Sequence, residues 1–358
     1  MLAPPGYSWS RALAGAAGAL AASAVVTACA TPPAHPAGSR TARSPTATSA
    51  GRRTGHPQAR RTGPARPGLP RPAPLTPFSG QGPAGQGRWR PAGRSVHGLT
   101  AVYETKLVPP GGRKPAGIAW LDSRLLSARL YSGSISPGGG PFRFTAPIRP
   151  AQARSVVAAF NGGFKMKDAH GGYFTEHRMI DPLRPGAASL VIYADGSVGI
   201  GAWGTDVTMT PRVVSVRQNL VPMVAAGQPT AAASGSWRTW GSTCGAKSCA
   251  KSVPGLEHQW RSGLGITADG ALVYANGPGL DPLQLARLLV RAGAVRAMQL
   301  DINPSWPVFV TYHPGAARGL AAPSNGRNLL AGTIQGPGTF FQRSWARDFL
   351  TMSARGAG

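Results

Sequence analysis

Residues 281–306 read DPLQLARLLVRAGAVRAMQLDINPSW, and that stretch decides the fold class. Asp281 is placed to cap a helix, Pro282 suits its first turn, and Gly293 sits just past its end. The spacing of Leu285, Leu288, Leu289 and Ala292 predicts a helix over residues 282–292 with one apolar stripe. The chain then enters an apolar run of strand type, residues 294–300, which breaks at Asp301 into turn-forming residues. A helix feeding a buried strand, among many hairpin signals, predicts an α+β fold. The expectation is a single domain on a mixed, mostly antiparallel β-sheet with a few packed helices, preceded by a disordered tail.

A second apolar run, residues 156–160, ends in the same manner, in Asn161-Gly162-Gly163-Phe164. An amide followed by two glycines lets the backbone approach a ligand and turn N–H groups toward it. Strand ends are where α/β folds tend to place their chemistry. Each island alone also reads as a plain tight turn. Working outward, three pairs of apolar runs look like hairpins: 117–121 with 125–131 around Asp122-Ser123, 190–193 with 198–203 around Asp195-Gly196, and 265–267 with 272–274 around Asp269-Gly270. Asp-Gly between apolar runs is a strong hairpin signal.

The chain has 358 residues and a formal net charge of +26. Twelve of its arginines and none of its acids precede Val96, so nearly half of that charge belongs to a tail rather than to a binding face. Residues 1–29 read as a signal: Arg11 supplies the positive start, a weakly apolar run follows, and Val26-Thr27-Ala28-Cys29 resembles a bacterial lipobox. A lipidated Cys29 would anchor the protein in the cell membrane, with secretion or a short signal anchor as the other routes. Residues 30–94, rich in Pro, Ala, Thr, Gly and Arg, are expected to be a disordered linker, and residues 95–358 the folded domain. The arginines of the tail suit anionic lipid or wall polymer. Nucleic acid is not the expected partner, because the aromatic interleaving of single-strand binders is absent. Outside the cytoplasm, Cys244 and Cys249 are expected to form a disulfide in a small local loop.

Quoted in order, Asn161-Gly162-Gly163-Phe164, then Arg261-Ser262-Gly263-Leu264-Gly265-Ile266-Thr267 with Asp269-Gly270, then the helix and Gln299-Leu300-Asp301 resemble the phosphodiester glycosidase family. Weaker agreement is visible at Gln218-Asn219-Leu220-Val221 and around Asp195-Gly196. The resemblance implies an exported hydrolase of sugar-1-phosphate diesters in envelope or extracellular glycopolymers, with no cofactor. Calcium held by loop oxygens stays open, and scattered histidines give no zinc spacing. One departure stands out: where the family continues the strand-end Asp with glycines and a serine, this chain has Ile302-Asn303-Pro304-Ser305-Trp306. The alternative is therefore a catalytically inactive surface module of the same fold that binds anionic polysaccharide.

Cleaving a sugar–phosphate bond at the sugar carbon expels a phosphomonoester whose second pKa is about 6, so a strong general acid is not obligatory. A cation cluster for phosphate and one carboxylate suffice. Among twelve carboxylates, Asp195, Asp269 and Asp281 are assigned to turns and a cap, and Glu104, Asp122 and Asp348 show no polar cluster around them. The expected catalytic set is Asp301 as the acid, Arg261 as a bidentate phosphate clamp, and Asn161. Gly162, Gly163, Glu176, His177, Asn219, Asn303 and Ser305 are the expected substrate-binding residues. Glu176-His177 falls in a polar stretch, 165–184, read as a lid or specificity loop. Trp237, Trp240, Trp260 and Trp306 are candidates to stack on sugar or to fill core.

Overall fold

The computed structural model describes residues 68–80, 82–241, 257–302, 304–315 and 319–356. In chain order its strands are β1 (Arg90–Ala92), β2 (Val102–Leu107), β3 (Ala116–Leu121), β4 (Leu126–Tyr131), β5 (Val156–Asn161) and β6 (Tyr173–Thr175). Then come β7 (Arg178–Asp181), β8 (Ala188–Tyr193), β9 (Val198–Ala202), β10 (Val213–Gln218), β11 (Val224–Ala225) and β12 (Gln228–Pro229). The last are β13 (Gln259–Thr267), β14 (Leu272–Leu280), β15 (Ala294–Ile302), β16 (Phe309–Tyr312), β17 (Gly326–Asn328) and β18 (Phe349–Ala354).

They form three antiparallel sheets, ordered β1-β2-β3-β14-β13-β15-β11-β12, β7-β6-β10-β8-β9 and β17-β16-β5-β18-β4. The fold is α+β with few helices. The largest core lies where the sheets face one another: Met298 and Leu300 from the first, Leu190 and Ile192 from the second, Phe160 and Leu350 from the third. Phe160, Tyr274 and Phe309 lock that junction, with ring centroids 5.2, 5.6 and 5.0 Å apart. Burying each such ring contributes about 2–3 kcal/mol.

The helix is Pro282–Arg291. Asp281 accepts from Gln284 N at 2.6 Å while the Gln284 side chain accepts from Asp281 N at 3.0 Å, a reciprocal cap. Leu285, Leu288 and Leu289 are buried on the first sheet. They fit because β13 is glycine where the helix crosses: a Cβ at Gly263 would lie 2.9 Å from Leu289 Cδ1. The hairpins around Asp195-Gly196 (β8–β9) and Asp269-Gly270 (β13–β14) form as expected.

The hairpin expected around Asp122-Ser123 does not. β3 pairs with β2 and β14 while β4 pairs with β18 in another sheet. Asp122 explains the corner. Its Oδ1 accepts from Arg124 N at 2.8 Å and Leu125 N at 3.2 Å, and its Oδ2 from Leu69 N at 2.7 Å. An acid that satisfies three backbone donors turns the chain out of one sheet and into the next.

That contact also moves the domain boundary. Residues 68–94, assigned to the linker by composition, belong to the fold: Trp89 is buried, Leu69, Leu75 and Phe78 pack against the helix-side core, and β1 pairs with β2. Composition misled because four anchoring apolar residues are diluted in proline and glycine. Stretch 165–184 is likewise no free loop. It contains a short helix, Met166–Ala169, and the β6–β7 hairpin, whose tip residues Glu176 and His177 have φ of 51° and 61°. Gln218 fastens its base, accepting from Gly172 N at 2.7 Å and Arg184 N at 2.8 Å.

Asp122→Ala removes the acceptor for three backbone donors. We expect a loss of about 3 kcal/mol in chemical denaturation, large for a residue remote from any site.

Candidate functional site

Four strand boundaries meet at one point: the ends of β5, β10 and β15 and the start of β18. Asn161 is the fastener. Its Nδ2 donates to Ser262 Oγ at 3.0 Å and Gly162 O at 2.9 Å; its Oδ1 accepts from Tyr274 Oη at 2.8 Å and Val308 N at 3.1 Å. Ser262 Oγ accepts in turn from Asp301 N at 3.2 Å. All four hydrogen-bonding positions of the amide are used within the protein, and its catalytic assignment gives way to a structural one.

Two buried ion pairs sit over this joint. Arg217 binds Asp348 with both arms of its fork, Nε to Oδ2 at 2.9 Å and Nη2 to Oδ1 at 3.2 Å. Arg347 Nη2 donates to Asp301 Oδ2 at 2.6 Å. Gly163 stands between them. Its N–H donates to Asp348 Oδ2 at 3.3 Å and its carbonyl accepts from Arg347 Nη2 at 2.9 Å. A Cβ on Gly162 would lie 2.2 Å from Asp348 Oδ2, and one on Gly163 would lie 2.7 Å from Arg217 Cζ. The glycines therefore permit close approach of the protein's own charges.

The expectation that their amides face a ligand is corrected accordingly. Gly162 N donates to Asp348 O at 2.9 Å, Gly163 N to Asp348 Oδ2, and Phe164 N to Asn219 Oδ1 at 3.0 Å. Asn219 is buried, and its Nδ2 holds the carbonyls of Gln299 and Leu300 at 2.9 and 3.1 Å, pinning the end of β15.

Burial raises the Asp301 carboxyl to about 7, against the opposing pull of Arg347 and the Ile302 N–H on its oxygens; Asp348 nearby adds to the rise. At Arg217 burial disfavours the charge, but Asp348 outweighs it and the guanidinium's pKa is raised.

Arg261 is the larger correction. It is buried, and its guanidinium donates to the carbonyls of Leu280, Trp240 and Glu257 at 2.7, 3.2 and 3.1 Å and to Gln299 Oε1 at 2.9 Å. Burial lowers its pKa to about 10, with Asp281 and Glu257 opposing. It shapes the start of β13, and Arg347 is the cation that meets Asp301. Glu176 accepts from Arg143 N and Phe144 N, each at 2.9 Å, and with His177 borders a separate cavity of about 320 Å³. Ser305 O accepts from Gln335 Nε2 at 3.0 Å. Asn303, Cys244, Cys249 and Cys29 lie outside the described residues.

Trp240 is core, its indole donating to Ala232 O at 2.9 Å. Trp306 is half-buried, its ring centroid 4.7 Å from Arg347 Cζ and 5.6 Å from the Trp345 ring. Arg347 Nε and Trp345 Nε1 are buried without a partner among the described residues. The site thus presents a carboxyl whose pKa is raised to about 7, a guanidinium whose Nε is buried without a partner among the described residues, and an aromatic face.

Sequence reasoning missed Arg217, Arg347 and Asp348, and dismissed the last as lacking polar neighbours. The signal was present. Val213-Val214-Ser215-Val216-Arg217 and Arg347-Asp348-Phe349-Leu350 both set a charge at the edge of an apolar run, as at Asp301.

No family model matches the chain, and no curated protein matches it. Among solved structures, the catalytic domain of zebrafish N-acetylglucosamine-1-phosphodiester alpha-N-acetylglucosaminidase, auto-inhibited by its pro-peptide, is similar at 15% identity and a TM-score of 0.44, covering 75% of this chain and 88% of that one. A hypothetical protein from Synechocystis is similar at 12% identity and TM-score 0.39, covering 74% of this chain and 64% of that one. A putative exported protein from Burkholderia pseudomallei is similar at 12% identity and TM-score 0.31, covering 72% and 75%.

Arg217→Met strands a buried Asp348 and should cost about 3–5 kcal/mol in denaturation. Arg217→Met with Asp348→Leu should cost well under the sum of the two single changes, the mark of a coupled pair.

Proposed function

We propose that the chain is a hydrolase of glycosyl phosphodiesters, exported and membrane-anchored through Cys29, and that Asp301 and Arg347 form its reactive pair. The observation that carries this reading is the buried 2.6 Å contact between a carboxyl whose pKa is raised to about 7 and a guanidinium whose Nε has no partner among the described residues. Ionised Asp301 takes a proton from the water whose oxygen attacks the sugar carbon, or attacks that carbon itself, in which case water afterwards cleaves the glycosyl ester and frees the sugar and the carboxylate. The carbon–oxygen bond to phosphate breaks, and the phosphomonoester leaves with the electron pair. Arg347 Nε faces the charge that develops on that oxygen. Among the described residues no helix is long and apolar enough to cross a membrane, and the anchor in this proposal rests on Cys29 alone.

A second reading keeps binding at the site and drops turnover. Trp306 lying on Arg347, together with the internal use of the amides of Gly162, Gly163 and Phe164, favours it. The test is release of free sugar from a panel of sugar-1-phosphate diesters. We expect kcat/KM to rise with pH up to about 7 and then level, because Asp301 must be ionised. Asp301→Asn should lower it about 1,000-fold and abolish that limb. Wild-type protein that binds the diesters but releases no sugar establishes the binding module instead.

Stability carries an independent signature. The folded state holds a proton on Asp301 at pH values where the unfolded chain has released it. Stability should therefore fall as pH rises from about 4 to about 7 and level above. Glu104, also raised to about 7 by burial, adds in the same direction, so Asp301→Asn should shrink the slope without removing it.

A further inference from the structure

Strand β4 is the outer strand of the third sheet, paired on one side only, with β18. In an antiparallel pair, alternate residues point their N–H and C=O groups toward the partner strand and away from it. Ala128 N donates to Gly196 O at 2.8 Å, outside that pair, so the even-numbered residues of β4 turn their main chain to the free edge. Leu126 N and Ser132 N follow the same rule, donating to Asp122 O and Phe144 O, each at 2.9 Å. Leu130 has the same orientation and no partner: among the described residues nothing accepts from its N–H or donates to its C=O. Leu130 is only 3% exposed. A buried main-chain donor and acceptor left idle are rare, and an unpaired strand edge is a template for another chain.

The cavity of about 320 Å³ bordered by Glu176 and His177 adjoins this gap. Three consecutive residues of β4, Ala128, Arg129 and Leu130, line it, so it touches the edge of the strand rather than one row of its side chains. Gly196 and Phe144, whose carbonyls hold Ala128 and Ser132, line it too and bracket the gap along the strand. The charge there is basic. Arg129 and Arg143 gather on the Phe144 ring, their Cζ atoms 4.0 and 5.3 Å from its centroid, and no ion pair among the described residues engages either. Glu176, the acid that lines the cavity, spends both oxygens on Arg143 N and Phe144 N. Its border is also strained. Glu176 and His177 are successive non-glycine residues at positive φ, in a two-residue hairpin turn where Asn-Gly is the favoured pair. Outliers of that kind collect at ligand sites.

These groups define the ligand. An N–H and a C=O side by side on a strand edge are matched by one residue of an extended peptide, which returns the same two groups. A strand cannot run through, because Gly196 and Phe144 close the edge on either side. A chain end can enter, and two unpaired guanidiniums beside a fully engaged carboxylate select the carboxylate end over the ammonium end. We propose that this cavity binds the C-terminus of an extended peptide, one residue pairing with Leu130 and the terminal carboxylate meeting Arg129 and Arg143. The volume sits at the low end of small-molecule sites, about 300–1,000 Å³, which suits a short chain end. None of the Asp301 network lines the cavity, and the proposal does not depend on turnover there.

Titration of the whole protein with acetyl-Ala-Ala-Val, as the free acid and as the C-terminal amide, tests it by calorimetry and by hydrogen exchange of backbone amides. Before peptide is added, the Leu130 amide should exchange at least tenfold faster than those of Ala128 and Ser132; at saturation it should slow to their rate. The acid should bind saturably and at least tenfold tighter than the amide. Arg129→Ala with Arg143→Ala should weaken the acid at least tenfold, whereas Asp301→Asn should leave its affinity unchanged. The exchange experiment uses wild-type protein and stands whether or not the arginine variant folds. A Leu130 amide as protected as its neighbours in the free protein would overturn the proposal, as would no binding, or binding that leaves its exchange unaltered. Equal affinity for acid and amide, or indifference to the arginine substitutions, would overturn the assignment of the carboxylate end.

Discussion

Gly163 lies between two buried Arg–Asp pairs, and the architecture around the candidate site depends on that crossing. Arg217 comes from the second sheet, Asp348 and Arg347 from the start of β18 in the third, and Asp301 from β15 in the first. Ionised groups taken out of water are tolerated only when every oxygen and most donors are matched. The two pairs therefore set how the three sheets may sit against one another. Hydrophobic burial drives the sheets together, as Phe160, Tyr274 and Phe309 show, but it is not directional. The ion pairs and the Asn161 amide supply direction, so the chemistry of the site and the geometry of the core are one object.

Such an arrangement divides labour among similar residues. Arg217 and Asp348 share two bonds, and the carbonyls of Gln218 and Phe164 and the Gly163 N–H add three more. Arg347 and Asp301 share one bond, burial outweighs it and raises the Asp301 carboxyl to about 7, and Arg347 Nε is left without a partner among the described residues. Incomplete pairing costs stability and creates reactivity in the same place. Arg261, with four partners and no carboxylate, belongs to the first kind despite its place in the sequence pattern.

Much of this was legible before any coordinates. The helix over 282–291, the strand that delivers Asp301, the strand ending at Asn161 and two of the three hairpins follow from periodicity, caps and turn residues, which act locally. Asp122 was misread because an acid that bridges Leu69 to residues 124–125 acts across 53 positions, and spacing does not report such contacts. The choice of Arg261 over Arg347 failed for the same reason. Both arginines adjoin apolar runs, and only the pairing of β18 with β5 brings one of them to Gly163. The glycines were noticed correctly and explained wrongly: their small size serves a guanidinium and a carboxylate of the chain itself.

The segment before β1 has a practical meaning. Leu75 and Phe78 lie on the helix-side core, Arg291 stacks on Phe78 at 4.2 Å and reaches the Thr76 carbonyl, and Trp89 closes the strap by donating to Ala73 O at 2.8 Å. A recombinant fragment begun at Ser95, where composition suggests the domain starts, would strip that cover and also remove β1. Its outer strand would become β2, with unpaired backbone and an uncovered hydrocarbon flank side by side, the combination that recruits other chains edge to edge. Solubility of this domain is thus set by residues that look, on paper, like disposable tether.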